Sequence, residues 1–206
     1  ASPLRDVYKR QYMLSAVLFL LMPGCNAAPS DPGVARQPRV EFDKGSFSIN
    51  GKTARIGASS AEWISALGTK YRYADPKSAD MMIWDDLGIF VYTDLPKKDQ
   101  VNTVAFAFHQ NSTADLALPG TGQAIRPKRM FNGEIVIGSV RFNGDMKIGD
   151  IPAASKLTFE VHCSNGIATC TTNRVDGNSR GYSIYFTVDE KRYDSVPYTI
   201  EISNAL

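Results

Sequence analysis

FSINGKTARIG, residues 47–57, is the stretch on which the fold turns. Apolar and polar residues alternate through 47–50 and again through 52–57, the period of a strand with one buried face. Between them stands Asn50-Gly51, the pair that two-residue hairpin turns favour because both central positions need a positive φ. A strand, a tight turn and a second strand are therefore predicted. One convincing helix signal follows. Ser59, with Glu62 three positions on, has the form of a capping box, and Gly68 stands where a helix C-terminus wants it. Trp63 and Leu67 lie one turn apart with Ile64 beside them, which predicts a buried stripe. Strand patterns resume at MMIW (81–84), GIFVYT (88–93) and VNTVAFAF (101–108), the last with Val104, Phe106 and Phe108 on one face.

Residues 109–130 lose the pattern; their two glycines, two prolines and mixed polar residues read as a connector. EIVIG (134–138), SVRFNG (139–144), a strand leading into Cys163, GYSIYFTV (181–188) and VPYTIEI (196–202) continue the strand pattern, the last two as a hairpin around Glu190 to Asp194. VRFNGDMKIG (140–149) repeats the apolar-x-apolar-Asn-Gly, basic residue, Ile and Gly of residues 47–57 with one residue fewer. This predicts a duplication, with a first α+β module over 40–108 and a second β-rich module over 131–206. Chance likeness between hairpins is the alternative, and IPAASK (151–156) offers at most a turn or two where a second helix would stand. The expected class is α+β: mainly antiparallel sheet with one clear helix, in two related β-rich subdomains.

The N-terminal part reads as an address. DVYKRQ (Asp6–Gln11) resembles the in-frame translation of a transposon end, so residues 1–11 are set apart as a sequencing scar; a natural basic n-region carrying Arg5, Lys9 and Arg10 is the alternative. Residues 12–24 have the length of a signal-peptide h-region, since the uncharged run from Met13 to Met22 is shorter than the roughly 20 residues a spanning helix needs. Leu21-Met22-Pro23-Gly24-Cys25 resembles a bacterial lipobox, in which a small residue directly precedes the cysteine that takes lipid. Gly24 fits that pattern; Met22 and Pro23 depart from its usual residues. The rival reading is ordinary cleavage after Ala27 or Ala28. Residues 25–39, rich in Pro, Ala and Ser, suit a flexible tether. In the lipoproteins so resembled an aspartate after the cysteine holds the protein at the inner membrane. Asn26 here points instead to the outer membrane, with the protein facing the periplasm.

Charge is balanced where it matters. The formal net charge is +2, but residues 1–24 carry three of the 23 basic residues and one of the 21 acidic ones. The remainder therefore sums to zero, which argues against a nucleic-acid partner. Of the three cysteines, Cys25 is assigned to lipid, leaving Cys163 and Cys170 facing each other in FEVHCSNGIATCTT. A four-residue loop, Asn165 to Ala168, puts these two opposite one another in a hairpin, whereas a two-residue Asn-Gly turn would leave Cys170 out of register. A disulfide is the expected state, with two free thiols as the second choice. A metal site would add His162 but finds no fourth ligand nearby.

The motifs of chemistry are thin. GNSRG (177–181) matches the Gly-x-Ser-x-Gly elbow in letters only, because a polar turn precedes Ser179 and a strand, not a helix, follows it. His109 and His162 sit beside apolar strand residues, where a histidine is usually structural. Asp80, Asp85 and Asp86 cluster around MMIWDD without the spacing of a calcium loop. PGTGQA (119–124) lacks the lysine and helix of a phosphate-binding loop. No catalytic residue, metal ligand or cofactor is expected.

Asn50-Gly51, Trp63 to Gly68, Trp84-Asp85-Asp86-Leu87-Gly88-Ile89, Phe131-Asn132-Gly133 and the strand Glu134 to Ile137 together resemble an uncharacterised family of bacterial lipoproteins built on a domain of unknown function. A more distant likeness runs to the small outer-membrane-assembly lipoproteins and to the tandem β-lactamase-inhibitor fold, whose helix also ends in Leu-Gly against an antiparallel sheet. These resemblances imply a binding or scaffolding module with no reaction attached. The expected function is a non-enzymatic interaction module, lipid-anchored in the cell envelope and binding another protein. The alternative is an envelope hydrolase using Ser179 or an aspartate.

Overall fold

Asn50 and Gly51 take φ values of 50° and 79°. They turn the chain between β2 (Ser46–Ile49) and β3 (Lys52–Arg55), so the predicted hairpin forms with Ile49 opposite Lys52. The computed structural model that shows this describes residues 38–93, 99–110, 125–151, 161–164, 169–172 and 181–204. Antiparallel to β2 lies β1 (Arg39–Asp43), whose other edge pairs in parallel with β8 (Glu134–Ile137). A two-residue turn at Gly138-Ser139 then folds β9 (Val140–Phe142) back on β8. The five strands run in the order β3-β2-β1-β8-β9.

The second sheet has eight strands, ordered β10-β11-β12-β13-β7-β6-β5-β4. They are β4 (Arg72–Tyr73), β5 (Met81–Trp84), β6 (Ile89–Thr93), β7 (Val101–Ala107), β10 (Val161–Cys163), β11 (Thr169–Thr172), β12 (Tyr182–Thr187) and β13 (Thr199–Asn204). Every pairing in it is antiparallel. The two sheets meet face to face. Val40, Phe42, Phe47, Ile135 and Phe142 from the first pack in one cluster with Trp84, Val91, Phe106, Phe186 and Ile202 from the second. Ring contacts cross the interface at Phe47–Phe106 (6.3 Å between centroids), Phe142–Phe186 (5.9 Å) and Phe42–Tyr182 (5.2 Å). Alternation drives this packing where strands bury one face, as in β1, β2, β8 and β9, whereas β5 is buried on both of its faces.

Among the described residues there is one α-helix, α1 (Ser60–Leu67), and it is eight residues long. Trp63 is fully buried, and its indole Nε1 donates to the carbonyl of Arg55 at 3.0 Å. Gly68 ends the helix, its N–H donating to the carbonyl of Ile64. The capping box does not form. Ser59 makes no side-chain cap bond, and Glu62 instead accepts two bonds from the Arg55 guanidinium, each 3.2 Å. The β3 strand places a cation beside the first turn, and a carboxylate gains more from a guanidinium than from a backbone amide.

The expected α+β class is therefore corrected: this is a β-rich fold of two stacked sheets. The two-subdomain picture goes with it. Each sheet draws strands from both sides of the connector, since β1 pairs with β8 and β7 pairs with β13. The physical reason is burial: the apolar face of each sheet is covered by the other sheet, and an eight-residue helix is too short to cover either. Nor does VRFNGDMKIG form a second Asn-Gly hairpin. Asn143 accepts a bond from the Asp145 N–H at 3.0 Å, an Asx turn that leads into a 3-10 turn at Ile148–Asp150 rather than a strand. Most of IPAASK (152–156) lies outside the described residues.

Candidate functional site

The outer face of the eight-stranded sheet changes character across its width. On one side Ala74, Met81, Ile83, Phe90, Ala105 and Ala107 form a second apolar cluster, with Tyr92 and Met130 packed against it. Residues 125–130, read from sequence as the end of a connector, lie across this cluster and are pinned at several points. Asp85 is the hub. Its carboxylate accepts two bonds from Arg72 (2.8 and 3.2 Å) and one from the Lys128 N–H (3.1 Å), and its carbonyl accepts from the Arg129 N–H. Arg72 also donates to the carbonyl of Arg126 at 3.0 Å.

Beside this segment, where β5 begins and β6 ends, the surface opens into a cleft of about 460 Å³. Its apolar part is Ala74, Met81 and Ile125; its polar part is Asp75, Ser78, Asp80 and Thr93, with Tyr92 as a wall. The turn between β4 and β5 positions the polar side chains. Asp75 accepts from the Lys77 N–H at 2.9 Å, Ser78 Oγ donates to Asp80 Oδ1 at 2.7 Å, and Thr93 Oγ1 donates to the carbonyl of Ala79 at 3.3 Å. Phe90 holds the Tyr92 ring edge-on, with centroids 5.7 Å apart.

Charge around the cleft is uneven. Burial pushes the Tyr92 hydroxyl well above the usual phenol range, and the carboxylates of Glu201 and Asp80 push it the same way while Arg126 opposes them. Burial likewise raises the Glu201 carboxyl above its ordinary range against the pull of Arg126. Arg126 is held toward β13 by a 3.0 Å bond from Nη1 to Thr199 Oγ1. Among the described residues neither Asp75 nor Asp80 has an ion-pair partner. A site with an apolar floor and a few polar groups at its rim can hold a small apolar body by contact and orient it by charge.

The side chains singled out from sequence do not converge. Asp80 lies in the cleft, Asp85 clamps the 125–130 segment, and Asp86 is exposed on the turn after β5. His109 donates from Nε2 to the carbonyl of Gly144 at 2.6 Å, the structural role expected of it. His162 is exposed on β10. Cys163 stands directly opposite Cys170 in the β10–β11 register, and their sulfurs are bonded. Among the described residues no group of three or more His, Cys, Asp or Glu is arranged to hold a metal ion. Cys25, Ser179 and residues 119–124 lie outside the described residues. Arg72, Tyr92, Arg126 and Glu201 escaped the sequence reading. Glu201 alone left a mark there, as one acidic residue inside the apolar run VPYTIEI.

The aromatic and glycine motifs prove to be parts of one another. Trp84 Nε1 donates to the carbonyl of Gly68 at 2.8 Å, joining the Trp-Asp turn to the helix end. A Cβ on Gly88 would fall on the backbone of Phe131, and one on Gly133 would fall on the carbonyl of Pro38. Over residues 39–151, more than half of the chain, the sequence matches a domain of unknown function, DUF7738. That span holds the whole five-stranded sheet and β4 to β7, and it runs through residues 109–130 without a break. Neither among curated proteins nor among solved structures does anything match the chain. With these interlocked motifs inside the matched span, the chain belongs to the DUF7738 family.

Proposed function

We propose that this chain is a non-enzymatic binding module, lipid-anchored in the cell envelope, and that its ligand or partner docks at the cleft beside Tyr92. The cleft carries the reading: about 460 Å³, an apolar floor, and two carboxylates without a cationic partner among the described residues. In this reading Cys25 takes lipid, residues 25–39 tether the domain, and the protein faces the periplasm, at the outer membrane because Asn26 follows the cysteine. The residues that tie the family's motifs together are engaged in holding the fold, which leaves recognition to the outer face.

A photoreactive residue replacing Ser78 in the full chain tests this. It should crosslink a discrete envelope component in living cells, while the same residue at Ser48, on the outer face of the other sheet, should not. Equal crosslinking from both positions would sink the reading. Labelling of Ser179 by a serine-reactive probe would favour the hydrolase instead.

A further inference from the structure

We propose that the cleft takes a primary alkylammonium group, the chemistry shared by a lysine side chain and a free polyamine. This rests on the reading of the cleft as the binding site, and it names the chemical class that the site selects.

Asp75 and Asp80 supply the charge. Each has one carboxylate oxygen held by a local bond, from the Lys77 N–H and from Ser78 Oγ respectively. Each is left with a second oxygen that has no donor among the described residues. Two carboxylates at one rim exclude an anionic head group and attract a cation. Arg126 does not neutralise them: it is bonded to Thr199, and its charge acts on Glu201 and Tyr92. Tyr92 contributes a neutral ring, because its hydroxyl stays protonated at physiological pH, and an aromatic face adds a further attraction for an ammonium group. The Met81 and Ile125 side chains complete the match by offering contact to an aliphatic stem rather than to water. A compact ammonium carries three donors to offer to carboxylate oxygens at this rim.

Isothermal titration of the full chain in detergent, with pentylammonium, 1-pentanol and pentanoate as probes, decides the matter. Pentylammonium should bind, pentanoate should not, and pentanol should bind at least about tenfold more weakly than the amine, because charge-assisted bonds are worth that much. Asp80→Asn should weaken the amine by about tenfold or more and leave pentanol unchanged, with an unaltered melting temperature confirming that the variant folds. Equal affinity for the amine and the alcohol would overturn the alkylammonium class while leaving the cleft as a binding site. Binding by none of the probes would overturn both. Nα-acetyl-lysine-N-methylamide and spermidine then separate the sources. Tighter binding of the lysine amide points to a polypeptide, and tighter binding of spermidine points to a free polyamine.

Discussion

The indole nitrogen of Trp84 donates to the carbonyl of Gly68 at 2.8 Å, fixing the C-terminal end of α1 to the end of β5. Both Trp84 and Trp63 are buried, so each indole N–H has a backbone carbonyl in place of water. Trp84→Phe keeps most of the ring but leaves the Gly68 carbonyl without this donor. The expected cost is about 1–3 kcal/mol, read as a lower urea midpoint with an unchanged slope. An unchanged midpoint would mean that water replaces the indole freely.

Trp63→Ala removes a fully buried aromatic that packs on Phe47 at 5.5 Å and pins α1 to the sheet edge. A loss of about 3–5 kcal/mol is expected, a large part of a domain's stability. Thermal melts check it. A shift of a degree or two would contradict the burial of this side chain.

Gly88 has a φ of 70° and no room for a Cβ, because the Phe131 backbone lies against it. Gly51 has a similar φ of 79° but nothing within 4 Å. Gly51→Ala should therefore cost only the left-handed backbone penalty, about 1–2 kcal/mol. Gly88→Ala should cost clearly more, since the passage of residue 131 must also move. Comparing the two melting temperatures isolates the steric part; equal losses would refute the close approach.

Glu201 makes stability depend on pH in the direction opposite to most carboxylates. Its folded pKa is raised by burial, so above the ordinary glutamate value the folded state holds more protons than the unfolded chain. Its contribution is fully present below that value and is lost as pH rises through the raised one. Glu201→Gln should flatten this fall, measured as urea midpoints across the series. A variant with the same pH slope as the parent would exclude Glu201 as its source.

Cys163 and Cys170 should resist alkylation in protein made in an oxidising compartment and react only after reduction. Opening a ring this short should lower stability by roughly 2.5 kcal/mol in the chain-entropy model. Intact mass with and without reductant reads the first outcome and a denaturation curve the second. Two alkylated thiols before reduction would refute the bond.

Local signals decided a good deal without any structure. Asn50-Gly51 determined its hairpin because the turn's own backbone conformation selects those two residues. Apolar runs at 81–84 and 88–93 and the patterns at 101–108 and 134–137 marked strands, with Val104 and Phe106 on one inward face. A four-residue loop was the one of two registers that puts Cys163 opposite Cys170, as found. Residue types also marked His109 as structural and Trp63 as core. What the sequence could not decide is which strand neighbours which. Period-two alternation is the same whether a strand's partner is four residues away or ninety, so the pairings of β1 with β8 and of β7 with β13 left no local trace. That ambiguity is why one interleaved stack of sheets read as two consecutive modules. The candidate site was hidden for the same reason: it joins Asp75, Asp80 and Tyr92 to Ile125, with Arg126 and Glu201 alongside. The β5–β6 pairing brings Asp80 beside Tyr92, and the β6–β7–β13 pairings bring Glu201 near it. Ile125 and Arg126 join them because Arg72 and Asp85 hold the segment at 125–130 over the outer face.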